Sequence, residues 1–212
     1  MAEISERDTK LIQYLNEAYG KEKQLETDLQ AHIGMTTKAA YKKRLQQHLQ
    51  ETKRHAREVE RRIKGLGGEA GGRVQAAATV ASKGFAVARG PLHMVRGTSE
   101  QEMLLKNAQT EYSEEHHEIA TYTTIEALAD SVGDRETSQL ARTIRREEDR
   151  MARYLERLIP QLTKAVARAE IPSSQRNGGA RRRRSSRRRR TSGGSTTRTR
   201  RSRSRAGSPA RR

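Results

Sequence analysis

Four long segments of this sequence repeat apolar residues at spacings of three, four and seven, which is the period of an amphipathic α-helix. The predicted helices cover about residues 5–32, 38–64, 99–132 and 135–168. Pro160 is expected to kink the fourth helix or to end its regular part. A chain built from such stripes buries its apolar residues by packing helix against helix. The sequence therefore predicts an all-α bundle of four helices.

The composition restricts the chemistry that such a bundle can carry. Only 32% of the residues are apolar and 3% aromatic, so the core must consist mainly of Leu, Ile, Val and Ala. The absence of cysteine excludes disulfides, thiolate metal sites and cysteine nucleophiles, which leaves His, Asp and Glu as the ligands for any metal. The sequence shows no signal-peptide pattern and no run of about 18 apolar residues. We therefore expect a cytoplasmic protein without membrane contact.

The segment between the second and third predicted helices is glycine-rich at its start. No strand precedes the glycines of residues 65–72, so a flexible connection is favoured over a loop that holds a phosphate. Residues 74–89 are rich in Ala and Val and predict a shorter helix inside this connection. A connection of this length is one of the known ways to join the helices of a four-helix bundle.

Each predicted helix places an acidic residue in the middle of its apolar stripe. Burying several carboxylates together is costly unless positive charge lies among them. Two divalent metal ions would supply that charge, and oxygen ligands with one or two imidazoles suit iron or manganese. Alternatively, each carboxylate is partly exposed and pairs with one of the many Lys or Arg residues. This is the usual environment of a glutamate on a helix. The residues concerned are Glu22, Glu51, Glu115 with Glu118, and Glu147 or Glu148.

Two histidines, His48 and His55, lie on the stripe of the second predicted helix, and Glu51 lies one turn from both. A single histidine at such a position is more often a core or boundary residue than a ligand. His116 and His117 are more often directed outward from the third helix. The stripes alone therefore do not assign the histidines.

Four short motifs surround these residues: EAYGKEKQL at 17–25, HLQET at 48–52, EHHEIATY at 115–122 and EALA at 126–129. In this order they resemble the YciE/YciF ferritin-like family of bacterial stress-associated proteins, and the resemblance covers about residues 5–165. It implies a ferritin-like four-helix bundle with a long crossover between helices two and three, a homodimer, and a site for two Fe or Mn ions per subunit. The ligands it implies are Glu22, His48, Glu51, Glu115, Glu118 and Glu148.

The charge of the chain is concentrated at its end. The net charge is +18, but residues 173–212 contain 16 arginines and no acidic residue, so the 28 basic and 26 acidic residues before them leave a net charge of only +2. Such a segment cannot bury enough apolar surface to offset the entropy of ordering. We therefore divide the chain into a ferritin-like bundle, residues 1–170, and a disordered arginine-rich tail, residues 171–212.

The tail predicts a polyanionic partner, because arginines neutralise phosphates and release the counterions condensed on them. Its aromatic content is nil, so base stacking has no carrier, and non-specific DNA binding is expected. RNA, anionic lipid or another acidic polymer fits the same residues, and a merely solubilising extension is the remaining interpretation. The predicted nucleic-acid contacts are Arg181, Arg182, Arg183, Arg184, Arg187, Arg188, Arg189, Arg190, Arg198, Arg200 and Arg201.

Together these features predict a nucleoid-associated di-metal protein that its tail holds on DNA, where it protects against oxidative or other stress as a ferroxidase or a consumer of peroxide. One alternative is a non-enzymatic nucleoid protein that bridges or compacts DNA and whose bundle is purely structural. Another is a scaffold whose buried carboxylates pair with Arg and Lys. Stoichiometric metal in the purified protein distinguishes the first hypothesis from the others.

Overall fold

The computed structural model describes residues 4–71 and 99–176. Within these ranges the chain forms α1 (Glu6–Met35), α2 (Ala39–Gly65), α3 (Glu100–Ser131), α4 (Arg135–Glu170) and the single turn α5 (Ser173–Arg176). Helices α1 to α4 belong to one compact unit, residues 1–170, and α5 belongs to a second unit that begins at Ile171. The predicted helix over residues 74–89 and the two four-arginine blocks of the tail lie outside the described residues.

Side-chain caps define the starts of three helices. The Asp8 amide donates to the Ser5 hydroxyl at 3.1 Å at the start of α1, and the Glu102 amide donates to the Ser99 hydroxyl at 3.2 Å at the start of α3. Asp134 accepts from the Thr137 amide at 3.0 Å and caps α4 in the same way. These bonds satisfy amide groups that have no partner within the helix, so each helix has a defined first turn.

The contacts between helices define the direction of each one. Tyr122 contacts Glu22 and Thr37 contacts Glu100, so α1 and α3 are antiparallel. Arg62, at the end of α2, contacts Asp134 at the start of α4, and these helices are antiparallel as well. Since α2 and α3 run in the same direction, the end of α2 and the start of α3 are separated along the bundle by about 40 Å, the length of the 27-residue α2. The predicted long crossover is confirmed.

A layer of buried polar residues divides the apolar core into two clusters. The first cluster draws on all four helices and is built around Leu29, Leu45 and Leu155. The second cluster, built around Val59 and Ile125, lies on the other side of the layer. The polar layer consists of Glu22, His48, Thr52, His55, Glu115, Glu118 and Glu148, all of them buried.

Helix α4 continues through Pro160 to Glu170. Leu158 and Leu162 on either side of the proline are buried in the first apolar cluster, whereas Pro160 itself is exposed. The packing of these leucines outweighs the loss of one backbone hydrogen bond. Of the two expectations for Pro160, an end of the regular helix is therefore wrong, and a kink stays a prediction. No helix among the described residues is long and apolar enough to span a membrane.

Candidate metal centre

Five side chains in the polar layer form two overlapping groups with the geometry of a metal site. Glu22, His55 and Glu148 form one group, and His48, Glu115 and Glu148 form the other. Within each group, one ligand atom from each residue lies within 4.8 Å of the others. Because Glu148 belongs to both groups, its two carboxylate oxygens can bridge a pair of ions. We call these five residues the inner ligands.

His48 links an inner carboxylate to one outside the cluster. Its Nε2 lies 2.9 Å from Glu115 Oε1, and its Nδ1 lies 3.2 Å from Glu51 Oε2. Arg44 donates to the same Glu51 oxygen at 3.0 Å. Burial opposes the ionisation of Glu51, but the hydrogen bonds from His48 and Arg44 outweigh it and lower its pKa to about 2. The ionised Glu51 fixes Nδ1 of His48 on the outer side of the layer and directs Nε2 to the cluster.

His55 repeats this arrangement two turns further along α2. Its Nδ1 lies 2.9 Å from Glu148 Oε1 and 3.6 Å from Glu22 Oε1. Its Nε2 lies 2.8 Å from Glu147 Oε2, which also accepts a hydrogen bond from Arg54. Each histidine is thus oriented by an outer carboxylate that an arginine holds, a pattern typical of metal-binding histidines.

The inner carboxylates are crowded and excluded from solvent. Burial and the neighbouring charge of Glu148 raise the pKa of Glu22 to about 8. Burial also raises the pKa of Glu115 and of Glu118 well above the usual range of a carboxyl. Burial acts against the ionised form of Glu148 too, but the close contact with His55 and the charges of His48 and His55 outweigh it and lower the pKa of that carboxyl. The layer therefore retains protons at neutral pH, and divalent cations could replace them.

Many of the buried polar atoms in the layer have no hydrogen-bond partner. They include Glu22 Oε2, His48 Nε2, His55 Nδ1 and both oxygens of Glu115 and Glu148. The 2.9 Å contacts of the two histidines bring nitrogen close to oxygen, but their angles are not those of hydrogen bonds. Leaving so many buried lone pairs without a donor is costly, whereas cations can coordinate them together. The donor set therefore fits two adjacent divalent metal ions.

A tyrosine completes the environment of Glu22. The Tyr122 hydroxyl donates to Glu22 Oε1 at 2.5 Å, and the tyrosine is 1% exposed. Burial and the charge of Glu22 raise the pKa of Tyr122, so its hydroxyl keeps its proton and remains a donor. This bond fixes Oε1 of Glu22 and leaves Oε2 buried without a hydrogen-bond partner.

The sequence matches the family model described as Domain of unknown function (DUF892) over residues 6–168. The chain belongs to this family. No curated protein matches it significantly.

Three solved structures show the fold of this DUF892 chain. A protein from Xanthomonas campestris pv. campestris is 25% identical, with a TM-score of 0.62, over 79% of this chain and 100% of that one. The E. coli stress protein YciF is 22% identical, with a TM-score of 0.59, over 74% and 97%. The Desulfovibrio desulfuricans bacterioferritin, which has a diiron site, is 20% identical, with a TM-score of 0.58, over 77% and 86%. The predicted ferritin-like fold and the family resemblance are confirmed.

Four of the six ligands implied by the resemblance lie together in the DUF892 chain: Glu22, His48, Glu115 and Glu148. Glu118 is buried in the same layer but lies outside both groups. Glu51 also lies outside both groups, because it contacts His48 from the outer side and pairs with Arg44.

The structure also separates two residues that the stripe of α4 could not. Glu148 is completely buried among the inner ligands, while Glu147 contacts His55 from outside. His55 itself was not assigned from the sequence, although it lies seven residues from His48 on the same face of α2. That spacing is the signal that could have identified it.

Proposed function

We propose that this ferritin-like protein binds two iron or manganese ions per subunit between the inner ligands, and that it oxidises Fe(II) or consumes peroxide while its tail holds it on DNA. The observation that supports the metal site most directly is the sharing of Glu148 between two buried ligand groups. Protection of the chromosome against oxidative or other stress would follow from placing this chemistry next to DNA. A homodimer is part of the proposal.

Each inner residue has a distinct part in this function. Glu22 and His55 would hold one ion, His48 and Glu115 would hold the other, and Glu148 would bridge them. Bound iron or manganese would supply the redox chemistry. With metal bound, Glu51 and Glu147 would hold the proton on the outer nitrogen of each imidazole, so that the inner nitrogen could serve as a ligand. The apolar clusters on both sides of the layer restrict the access of water.

The ion pairs of the layer favour this proposal over a scaffold that is stabilised by internal pairing with Arg and Lys. Glu115 and Glu148 make their ion pairs with His48 and His55. Arg44 and Arg54 pair with the outer carboxylates instead. The arginines therefore neutralise the rim of the layer, and among the described residues no Lys or Arg forms an ion pair with an inner carboxylate.

The DNA tether is supported by the composition of the tail. Its 16 arginines are not balanced by any acidic residue, and no aromatic residue accompanies them. Such a segment binds phosphates without reading bases. A non-enzymatic protein that bridges DNA through the same tail is the alternative, and it requires no metal.

An anaerobic titration of the untagged protein with Fe(II) tests the metal site. We expect about two ions per subunit, as in carboxylate-bridged bundles, and a change in the absorption spectrum when air is admitted. The double substitution Glu22→Gln and Glu115→Gln should abolish uptake and leave the helical content unchanged. Its matched control replaces the exposed Glu17 and Glu156 by Gln and should bind as the wild type does. Wild-type protein that takes up no iron and shows no spectral change would contradict the proposal.

A further inference from the structure

The near-neutral bundle has two faces of opposite charge. Helices α1 and α3 are neighbours, and outside the buried core they contain 10 acidic and 5 basic residues, a net charge of −5. Helices α2 and α4 are neighbours on the opposite side and contain 18 basic and 8 acidic residues outside the core, a net charge of +10. Opposite faces of this kind orient a protein in the field of a charged partner.

The outward side of α4 carries a continuous line of cations. Arg146, Arg150, Arg153, Arg157 and Lys164 follow one another at spacings of four, three, four and seven residues, and all are exposed. At 1.5 Å per residue the line is about 27 Å long. We call these five residues the α4 stripe.

The α4 stripe differs from the other cations of the helix in its pairing. Arg142 and Arg145, which are directed to α3, both form ion pairs with Glu126. In the stripe Arg150 pairs with Glu147 at 3.4 Å, whereas Arg146, Arg153 and Arg157 form no ion pair with any residue in the described part of the chain. Their charge is therefore available to a partner.

We propose that the α4 stripe is a contact surface for the phosphates of duplex nucleic acid, and that it turns the α2/α4 face toward the duplex. This inference rests on the proposed binding of nucleic acid and adds to it a second, helical contact surface on the bundle. A duplex carries one phosphate charge about every 1.7 Å along its axis, so cations along a straight line of this length can each approach a phosphate. The acidic α1/α3 face is repelled by the same phosphates, which fixes the orientation of the bundle.

The composition of the stripe favours a duplex over an anionic membrane. A helix that lies in a membrane surface combines its cations with large apolar residues that enter the lipid. The large apolar residues of α4, such as Ile144, Met151 and Leu155, are buried in the bundle core instead. The exposed residues between the cations of the stripe are Glu156, Pro160, Gln161 and Thr163, none of which is a large apolar residue.

Salt titrations of the full chain on unrelated duplexes test the stripe. The stripe variant replaces Arg146, Arg153 and Arg157 by Gln. The matched control removes the same charge from the other face by replacing Lys10, Lys23 and Lys106 by Gln. The slope of log affinity against log salt is negative, and each lost phosphate contact reduces its magnitude by about 0.9. The slope of the stripe variant should therefore be smaller in magnitude than that of the wild type by up to about 3. The control should keep the wild-type slope, and equal slopes for the two variants would overturn the proposal.

A third variant separates the stripe from the tail. It replaces the two four-arginine blocks, residues 181–184 and 187–190, by Gln. Wild-type affinity in this variant would contradict the proposal that the tail holds the protein on DNA, but not the proposal for the stripe. Conversely, a stripe variant that binds as its control does would contradict the proposal for the stripe, but not the proposal for the tail. Loss of binding to phosphatidylserine vesicles by the stripe variant, with duplex binding unchanged, would also overturn the stripe.

Site-directed crosslinking tests the orientation without removing any charge. Because the chain contains no cysteine, a single cysteine can carry a photo-crosslinker at a chosen position. We expect Gln161→Cys on α4 to crosslink to duplex DNA and Gln109→Cys, exposed on α3, not to do so. Equal crosslinking from both positions, or crosslinking from α3 alone, would show that the α2/α4 face does not contact the duplex.

Discussion

His48 Nε2 lies 2.9 Å from Glu115 Oε1, and neither side chain is exposed to solvent. The contact joins α2 to α3, which are diagonal to each other across the bundle. An apolar layer at this level would leave the diagonal helices without a polar link. The polar layer therefore also connects the two helical hairpins through the middle of the core.

The bridging position of Glu148 predicts that a single substitution removes both ions. Since Glu148 contributes to both ligand groups, Glu148→Gln should reduce bound iron from about two ions per subunit to nearly none. Elemental analysis after anaerobic loading measures this. Glu156→Gln, on the same helix but exposed, is the control. Retention of one tightly held ion in Glu148→Gln would show that the two groups are independent.

The outer carboxylate Glu51 should affect the strength of metal binding rather than its stoichiometry. Glu51→Gln removes the charge that orients His48, and substitutions of this kind weaken metal affinity by about 10- to 100-fold. A competition titration with a chelator gives the affinity of each variant. Glu60→Gln, which alters only an exposed pair with Lys64 on the same helix, should bind as the wild type does. Complete loss of one ion in Glu51→Gln would make Glu51 a direct ligand.

The cap of α4 should make stability depend on acid pH. Burial opposes ionisation of Asp134, but the Thr137 amide and Arg62 outweigh it and hold its pKa below the usual value of 3.8. A carboxyl whose pKa is lower in the folded state stabilises the protein above its unfolded pKa, and this contribution is lost as the pH falls through the folded value. Asn caps helices about as well as Asp, so Asp134→Asn removes the charge and keeps the cap. It should lower the free energy of unfolding by about 1 kcal/mol at pH 7.

Urea unfolding of Asp134→Asn and the wild type at pH 7 and near pH 2 measures this contribution. The two proteins should differ at pH 7 and converge in acid. Asp130→Asn changes an exposed carboxyl at the end of α3 and should have little effect at either pH. A difference that persists in acid would mean that shape, and not charge, accounts for the role of Asp134.

Removal of the tail should separate folding from DNA binding. The chain cut after residue 172 retains α1 to α4 and should keep its helical circular dichroism, whereas its affinity for duplex DNA should fall sharply. If six arginines of the tail contact phosphates, the slope of log affinity against log salt for the full-length chain is about −5. Its affinity then falls roughly a thousandfold between 50 and 200 mM salt. Equal affinity of both forms, or strong preference for one duplex sequence, would assign the tail another role.

Helical periodicity was sufficient to predict the four helices and to place Glu22 and Glu115 among apolar neighbours. It could not separate Glu147 from Glu148, because consecutive residues at the edge of a stripe differ only in how the neighbouring helix approaches them. The spacing from His48 made His55 a candidate, but its place in the site depends on α1 and α4, which bring Glu22 and Glu148 to it. The sequence around Pro160 also did not show that the helix continues beyond it, because the burial of leucines on both sides maintains the helix.

The division of the apolar core has a consequence for cooperativity. Each cluster can remain packed on its own, so the coupling between the two ends of the bundle depends on how favourable the layer between them is. Without metal, we expect the amide hydrogens of the two clusters to exchange with solvent independently. Metal bound in the layer should couple the clusters, so that both exchange only when the whole bundle unfolds. The supply of metal would then determine how long the folded chain resists proteolysis, in addition to whether it can carry out its chemistry.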